Sequence, residues 1–146
     1  MKGTDIPQID SLEHIRSVVQ AVSDGSRETS EIEAIVGLST RHINYALQAA
    51  GILDLLTGKE EDNLRVTRQG RVLLGLDAGS AHEKTIFRLL IESNRELKMV
   101  APGLLDETPP ESGDIIRRIE VLAELSTATA KRRAQTLLAW RHHIVG

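Results

Sequence analysis

The residues with the clearest potential chemistry lie on a segment with helical periodicity that follows Ser39 and stops near Gly51. At 100° per residue, its small apolar side chains fall on one face and its polar side chains on the other. Arginine pairs with guanine, asparagine and glutamine pair with adenine, and tyrosine can contact phosphate. This helix therefore predicts contacts with duplex DNA through its polar face. That face carries Arg41, Asn44, Tyr45 and Gln48.

Ser39 and Thr40 stand at the predicted start of this helix. Free backbone N–H groups at such a position favour a phosphate. The simpler interpretation of the polar face is an ordinary solvated helix surface. Against it, the face contains no Asp or Glu, although the chain has 21 of them. Contact with nucleic acid and plain solvation both remain open, and we favour contact.

A second helix with a basic face is predicted over about residues 127–143, capped by Ser126. Trp140 falls on its inward face and is predicted to be a core residue, whereas Thr136 falls beside the outward face. The alternative to phosphate binding by this face is helix solvation. The candidate DNA-binding residues are Thr127, Thr129, Lys131, Arg132 and Gln135.

Two further arginines of this helix, Arg133 and Arg141, fall at its apolar margin. Their position fits two partners equally well. They pair with acids such as Glu120 or Glu124, or they reach DNA.

One short phrase occurs twice, each time directly before one of these two helices. Residues 32–40 read IEAIVGLST and residues 119–127 read IEVLAELST, 87 residues apart. The phrase is typical of the entry into the second helix of a helix-turn-helix. Its repetition predicts two DNA-reading units in one small chain.

The composition limits the classes of protein that fit. The 146 residues include only three aromatic side chains and no cysteine, which predicts a core of packed aliphatic helices without disulfides or thiolate chemistry. No apolar run reaches membrane-spanning length, and the N-terminus lacks a signal-peptide core, so we expect a cytoplasmic protein without a membrane partner. The net charge is −3, yet residues 63–76 and 126–146 contain basic side chains and no acid. Local patches of this kind attract phosphate more than the net charge suggests.

The order of elements predicts a mainly α fold with a small β-hairpin wing, arranged as tandem helix-turn-helix units. Residues 1–77 are predicted to form a winged unit, and residues 80–146 a second unit that is either truncated or wingless. Residues 1–9 are predicted to be a loose tail. One helix is expected over residues 80–97, after a short linker at residues 77–79.

Two helix boundaries in the first unit follow from capping signals. Ser30, with Glu33 placed for a capping box, predicts the start of the second helix, and Gly37 predicts its left-handed end. Gly51 predicts the end of the third helix near Ala50.

The predicted hairpin carries two candidate phosphate contacts, Arg65 and Arg68. A wing would lie there against the DNA backbone or minor groove. The predicted tip, Glu60-Glu61-Asp62, is acidic, so phosphate would repel it. The alternative is that both arginines are ordinary surface residues.

The residues LSTRHINYALQAAGILDLL followed by LRVTRQGRVLL resemble the winged helix-turn-helix superfamily over about residues 10–76, and more weakly over residues 80–145. The second segment, LSTATAKRRAQTLLAW, is similar to helix-turn-helix modules of prokaryotic restriction and defence proteins. This resemblance implies a DNA-recognition module that works beside a nuclease. Winged helices also serve as protein-interaction domains, so the resemblance does not by itself decide the function.

No catalytic, metal-binding or cofactor-binding constellation stands out, so we expect no enzyme activity, metal or cofactor within this chain. Glu96 and Lys98 have the E-x-K spacing of many restriction nucleases, but they fall at a predicted helix end with no sheet around them. No Gly-rich phosphate loop or nucleophile motif is present.

The sequence predicts a sequence-specific module that binds double-stranded DNA, either in a restriction or defence protein or in a bacterial regulator. The alternative is a protein-interaction or dimerisation module that does not contact DNA. A nuclease domain or subunit and a second copy of the chain are the further partners that we consider.

Overall fold

A computed structural model describes residues 1–58 and 63–146 of the chain. This part is mainly helical with one two-stranded antiparallel sheet, which confirms the predicted combination of helices and a small hairpin. A 3-10 turn at Gly3–Asp5 precedes the α-helices. The helices are α1 (Leu12–Ser23), α2 (Thr29–Val36), α3 (Thr40–Ile52), α4 (Arg68–Leu74), α5 (Ala81–Ser93), α6 (Arg95–Val100), α7 (Ser112–Ala123) and α8 (Thr127–Val145).

The sheet lies between α3 and α4 and consists of β1 (Leu56–Thr57) and β2 (Arg65–Val66). Leu56 pairs with Val66 and Thr57 with Arg65. The predicted acidic tip, Glu60-Glu61-Asp62, lies outside the described residues. None of the described helices combines the length and apolarity needed to cross a membrane.

Short polar caps fix most helix starts, including those predicted at Ser39 and Ser126. The hydroxyl oxygens of Ser11, Ser39, Thr67 and Ser126 each accept the backbone N–H three residues further on. This bond satisfies one of the N–H groups that a helix start leaves free.

The start predicted for α2 is wrong. This helix begins one residue earlier, at Thr29, and the Glu31 carboxylate accepts the backbone N–H of Glu28 at 3.3 Å. Glu33, predicted to close the capping box, instead accepts a hydrogen bond from the Thr40 hydroxyl.

The repeated phrase adopts the same backbone in both places. Gly37 (φ 80°) and Glu124 (φ 53°) follow α2 and α7 in the left-handed region, and each is followed by Leu and then the capping serine. Ser39 and Ser126 have nearly equal backbone angles, with φ −65° and −63° and ψ 160° and 158°. The phrase therefore encodes one turn geometry twice, with an unfavourable non-glycine residue in the second copy.

Two further predicted boundaries are wrong. Helix α3 continues through Gly51 to Ile52. The helix expected over residues 80–97 is two helices, because Asn94 has an extended backbone and caps α6 through the Leu97 N–H. The Asn94 amide also donates to the Ile52 carbonyl, so the break ties the second half of the chain to the end of α3.

The first nine residues are ordered, so the prediction of a loose tail is wrong. Ile6 and Ile9 are buried in the same core cluster as residues from both halves of the chain. Trp140 is fully buried, which confirms its predicted core position. Its indole N–H donates to the Ile9 carbonyl at 2.9 Å. Residues 1–9 are ordered because the buried indole N–H requires a hydrogen-bond acceptor and because the two isoleucine side chains are buried in the core.

A buried ion pair joins Arg16 of α1 to Glu83 of α5, and both side chains also bind the segment between α4 and α5. Arg16 donates to Glu83 at 2.5 Å and to the Leu76 carbonyl at 2.6 Å, and the Gly79 N–H donates to the other carboxylate oxygen at 3.0 Å. The Arg16 side chain is 15% exposed and the Glu83 side chain 3%. The pair therefore fixes both ends of the segment predicted as a linker.

Replacing Glu83 with Ala should lower the free energy of unfolding by about 3 kcal/mol, because it leaves the Arg16 guanidinium buried without a counter-charge. Glu92→Ala is the matched control, since the Arg88–Glu92 pair is more than 40% exposed on both sides. Glu92→Ala should lower the free energy of unfolding by less than about 1 kcal/mol. Urea unfolding measures both losses, and equal losses would contradict a structural role for the buried pair.

Substitutions at Gly37 and Glu124, the left-handed residues of the repeated phrase, should change the free energy of unfolding in opposite directions. Glu124→Gly should raise the free energy of unfolding by about 0.5–1 kcal/mol, because relief of left-handed strain exceeds the entropy cost of glycine. Gly37→Ala should lower it by about 1 kcal/mol for the converse reason. If urea unfolding shows that Glu124→Gly destabilises the protein, the strain assigned to Glu124 is absent.

Candidate nucleic-acid interface

The first two turns of α3 and of α8 line one open cleft of about 610 Å³. These are the two helices that follow the repeated phrase, and both were predicted to contact DNA. The structure thus brings Arg41 and Tyr45 together with Thr129 and Arg132. The full lining is Gln8, Arg41, His42, Tyr45, Ala128, Thr129, Arg132 and Arg133.

The wall formed by α3 carries a cluster of three side chains. The Arg41 Nε donates to the Tyr45 hydroxyl at 2.9 Å, and the guanidinium carbon lies 5.4 Å from the centre of the Tyr45 ring. The His42 ring meets the Tyr45 ring edge to face at 6.3 Å, and its Nδ1 lies 2.9 Å from the Ser39 hydroxyl. The cluster is therefore braced from the helix cap to the second turn.

Two of the predicted base readers lie apart from this cluster. Asn44 is exposed and borders a different cleft, together with Gln48, Thr57 of β1 and the following Gly58. The Gln48 amide donates to the Thr4 carbonyl at 2.7 Å, and its oxygen accepts from the Gln8 amide at 2.8 Å. The ordered N-terminal segment thus occupies the hydrogen-bonding groups of Gln48.

The wall formed by α8 is basic, but one of its cations is paired. Arg132 lies 3.1 Å from the Asp10 carboxylate, and both side chains are about half exposed. Thr136, predicted beside the outward face, is instead fully buried and donates to Asp10 at 2.7 Å. Burial is tolerated because the hydroxyl has this acceptor. Thr127, Lys131 and Gln135 are exposed, and Thr129 is half-buried.

Arg133 and Arg141 bind backbone carbonyls within the protein, not the predicted acids Glu120 or Glu124. Arg133 donates to Gly3 at 2.6 Å and more weakly to Ile6 at 3.4 Å. Arg141 donates to Leu104 at 2.7 Å and Asp106 at 2.6 Å.

Burial lowers the pKa of the Arg133 guanidinium from its usual value, and the nearby Tyr45 partly offsets that effect.

Gln8, His42 and Ala128 line the cleft but were not predicted to contact DNA, and Arg133 was considered for this role only as one of two alternatives. His42 lies at the margin of the polar face, and its position beside Arg41 could have suggested it. Gln8 had no such signal, because it reaches the cleft only through the fold of the N-terminal segment.

The two arginines of the hairpin region are exposed but do not line this cleft. Arg65 lies on β2, and Arg68 begins α4. Arg68 borders a separate groove of about 300 Å³ between α4 and α5. The groove is largely apolar, and Val72 and Leu89 on its walls are 46% and 54% exposed.

Comparison with known proteins assigns a family but no activity. A family model described as "Domain of unknown function (DUF7226)" matches residues 14–146. No curated protein and no solved structure matches the chain.

Arg133→Ala should lower the free energy of unfolding by about 1.5–3 kcal/mol, because a charge-assisted hydrogen bond to the N-terminal segment is lost. Lys131→Ala is the matched control two residues earlier, and as an exposed cation it should change stability by no more than about 0.5 kcal/mol. Thermal or urea unfolding measures both. Equal stability of the two variants would show that Arg133 does not anchor the segment.

Proposed function

The chain belongs to the DUF7226 family, and we propose that it is a sequence-specific protein that binds double-stranded DNA through tandem helix-turn-helix units. In this proposal α1–α4 with the hairpin form a winged unit, and α7 and α8 belong to a second unit without a described wing. The helices α3 and α8 are the two recognition helices.

The shared turn supports the assignment of two units. A helix-turn-helix needs a sharp turn between its two helices and a capped start for the second. The left-handed residue, the leucine and the capping serine supply this turn before α3 and again before α8.

One observation carries the proposal: the first two turns of α3 and of α8 line the same cleft. Three arginines lie on its walls, Arg41, Arg132 and Arg133. In a helix-turn-helix, the N-terminal residues of the second helix are those that contact base edges. The free N–H groups of a helix start also favour an anionic group such as phosphate. Two such starts beside one another suit a single duplex better than two separate ligands.

The contacts within the cleft divide the residues by role. Arg41 is the base reader with the best geometry, because its side chain is already held by Tyr45. Lys131 and the exposed polar residues of the first turns of α8 are suited to phosphate. Arg132 joins them if a phosphate replaces Asp10, and an exchange of this kind is feasible because an exposed ion pair contributes little to stability.

The cellular setting follows from the resemblance of the second unit to modules of restriction and defence proteins. We propose a cytoplasmic DNA-recognition role in such a system, where a nuclease domain or subunit would supply any cleavage. Regulation of transcription by the same DNA contacts is the second setting.

A different class of function is favoured by the groove between α4 and α5. Its exposed Val72 and Leu89 are features of a protein-interaction surface. In this alternative the chain holds a complex together, or forms a homodimer, without touching DNA.

Duplex binding should weaken steeply with salt, and replacing both Lys131 and Arg132 with Ala should reduce affinity. Each lost phosphate contact should reduce the slope of log affinity against log salt by about 0.9. Titration of a labelled duplex selected from a random pool, at salt concentrations from about 50 to 200 mM, measures both quantities.

The matched control is the double change Arg95→Ala with Lys98→Ala. It also removes two exposed cations, but from α6, outside the cleft. The control should bind as the unchanged protein does. The proposal fails if no duplex binds at low salt, or if the two double variants lose equal affinity.

A further inference from the structure

We propose that Tyr45 is a positioning residue that holds Arg41 in the orientation for reading guanine. This inference rests on the proposed function and names the base that the cleft recognises. It assigns the preference of the protein to one pair of side chains on α3.

The contact between the two side chains has two parts. The Tyr45 hydroxyl accepts the Arg41 Nε–H at 2.9 Å, and the guanidinium lies against the ring at 5.4 Å from its centre. Together they fix both the direction and the tilt of the planar guanidinium group. A fully solvated arginine side chain would sample many orientations of its guanidinium group.

The hydrogen bond to Tyr45 does not use the two terminal Nη groups of Arg41, which would contact the base. Only Nε is used, and neither Nη atom has a hydrogen-bond partner among residues 1–58 and 63–146. The two Nη groups form a planar fork that matches the O6 and N7 acceptors of guanine. An arginine held through Nε therefore still presents a bidentate donor.

Tyr45 can serve as a support because it is itself held. Its residue is half-buried, and the His42 ring meets it edge to face at 6.3 Å. His42 is in turn placed by the Ser39 hydroxyl at 2.9 Å. The cap of α3 is thereby connected through His42 and Tyr45 to Arg41.

A purely structural role for the same contact predicts a different result. An arginine and a tyrosine four residues apart can stabilise a helix without any ligand. In that case removal of the hydroxyl would alter stability and leave base preference unchanged. Base preference, measured apart from overall affinity, therefore separates the two roles.

The experiment compares the complete chain with Tyr45→Phe, which keeps the ring and removes only the hydroxyl. Duplexes are first selected from a random pool with the unchanged protein. Affinity is then measured for the selected duplex and for versions with each guanine replaced. Arg41→Lys keeps the charge but lacks the fork, and Arg95→Lys is the control outside the cleft. Thermal unfolding checks that each variant is folded.

The unchanged protein should prefer guanine at one position by about 10- to 100-fold. Arg41→Lys should abolish this preference and keep most of the affinity for unrelated duplexes. Tyr45→Phe should reduce the same preference roughly three- to tenfold, the effect of releasing one ordered side chain. Arg95→Lys should leave it unchanged.

Two results overturn the inference while the proposed function survives: Tyr45→Phe keeps the full guanine preference that Arg41→Lys loses, or Arg41→Lys itself keeps it. Failure of the unchanged protein to bind any duplex overturns the proposed function, and the inference with it.

Discussion

The cleft depends on the way in which residues 3–10 are held between α3 and α8. The carbonyl of Thr4 accepts from Gln48 on α3, and the carbonyls of Gly3 and Ile9 accept from Arg133 and Trp140 on α8. The Trp140 indole is fully buried, so its N–H requires an acceptor within the protein. Ile6 and Ile9 add apolar contacts to the same cluster. This segment thus bridges the two helices and contributes Gln8 to the cleft, while the Arg16–Glu83 pair joins α1 to α5.

Arginine serves two separate purposes in this fold. Several arginines donate to backbone carbonyls and so hold segments together, which a planar group with five N–H donors does well. Arg41, by contrast, uses a single N–H within the protein and lines the cleft. A net charge of −3 therefore says little about the surface, since position decides which cations remain available. The internal donors are Arg16, Arg27, Arg71, Arg88, Arg133 and Arg141.

Local features of the fold were predictable from the sequence because local residues cause them. The serine and threonine caps, the left-handed turn at Gly37 and the hairpin follow from short-range hydrogen bonds and backbone preference. The order of the N-terminal segment and the break at Asn94 were missed, because both depend on partners far along the chain, Trp140 and Ile52. The same distinction between local and long-range causes applies to the candidate interface. The outward direction of Arg41 follows from helical periodicity, whereas the engagement of Gln48 and of Arg132 depends on residues 4–10.

The Asp10–Arg132 pair limits what a phosphate contact at Arg132 can add to affinity. The salt dependence of duplex binding comes mainly from the cations condensed on the DNA, which are released when protein cations neutralise its phosphates. Arg132 already has a carboxylate partner within the protein, and this carboxylate is oriented by the buried Thr136 hydroxyl. A phosphate that took its place would displace Asp10 and leave a negative charge beside the duplex. The affinity gained at Arg132 would then be smaller than at an exposed cation such as Lys131, although both contacts release counterions from the DNA.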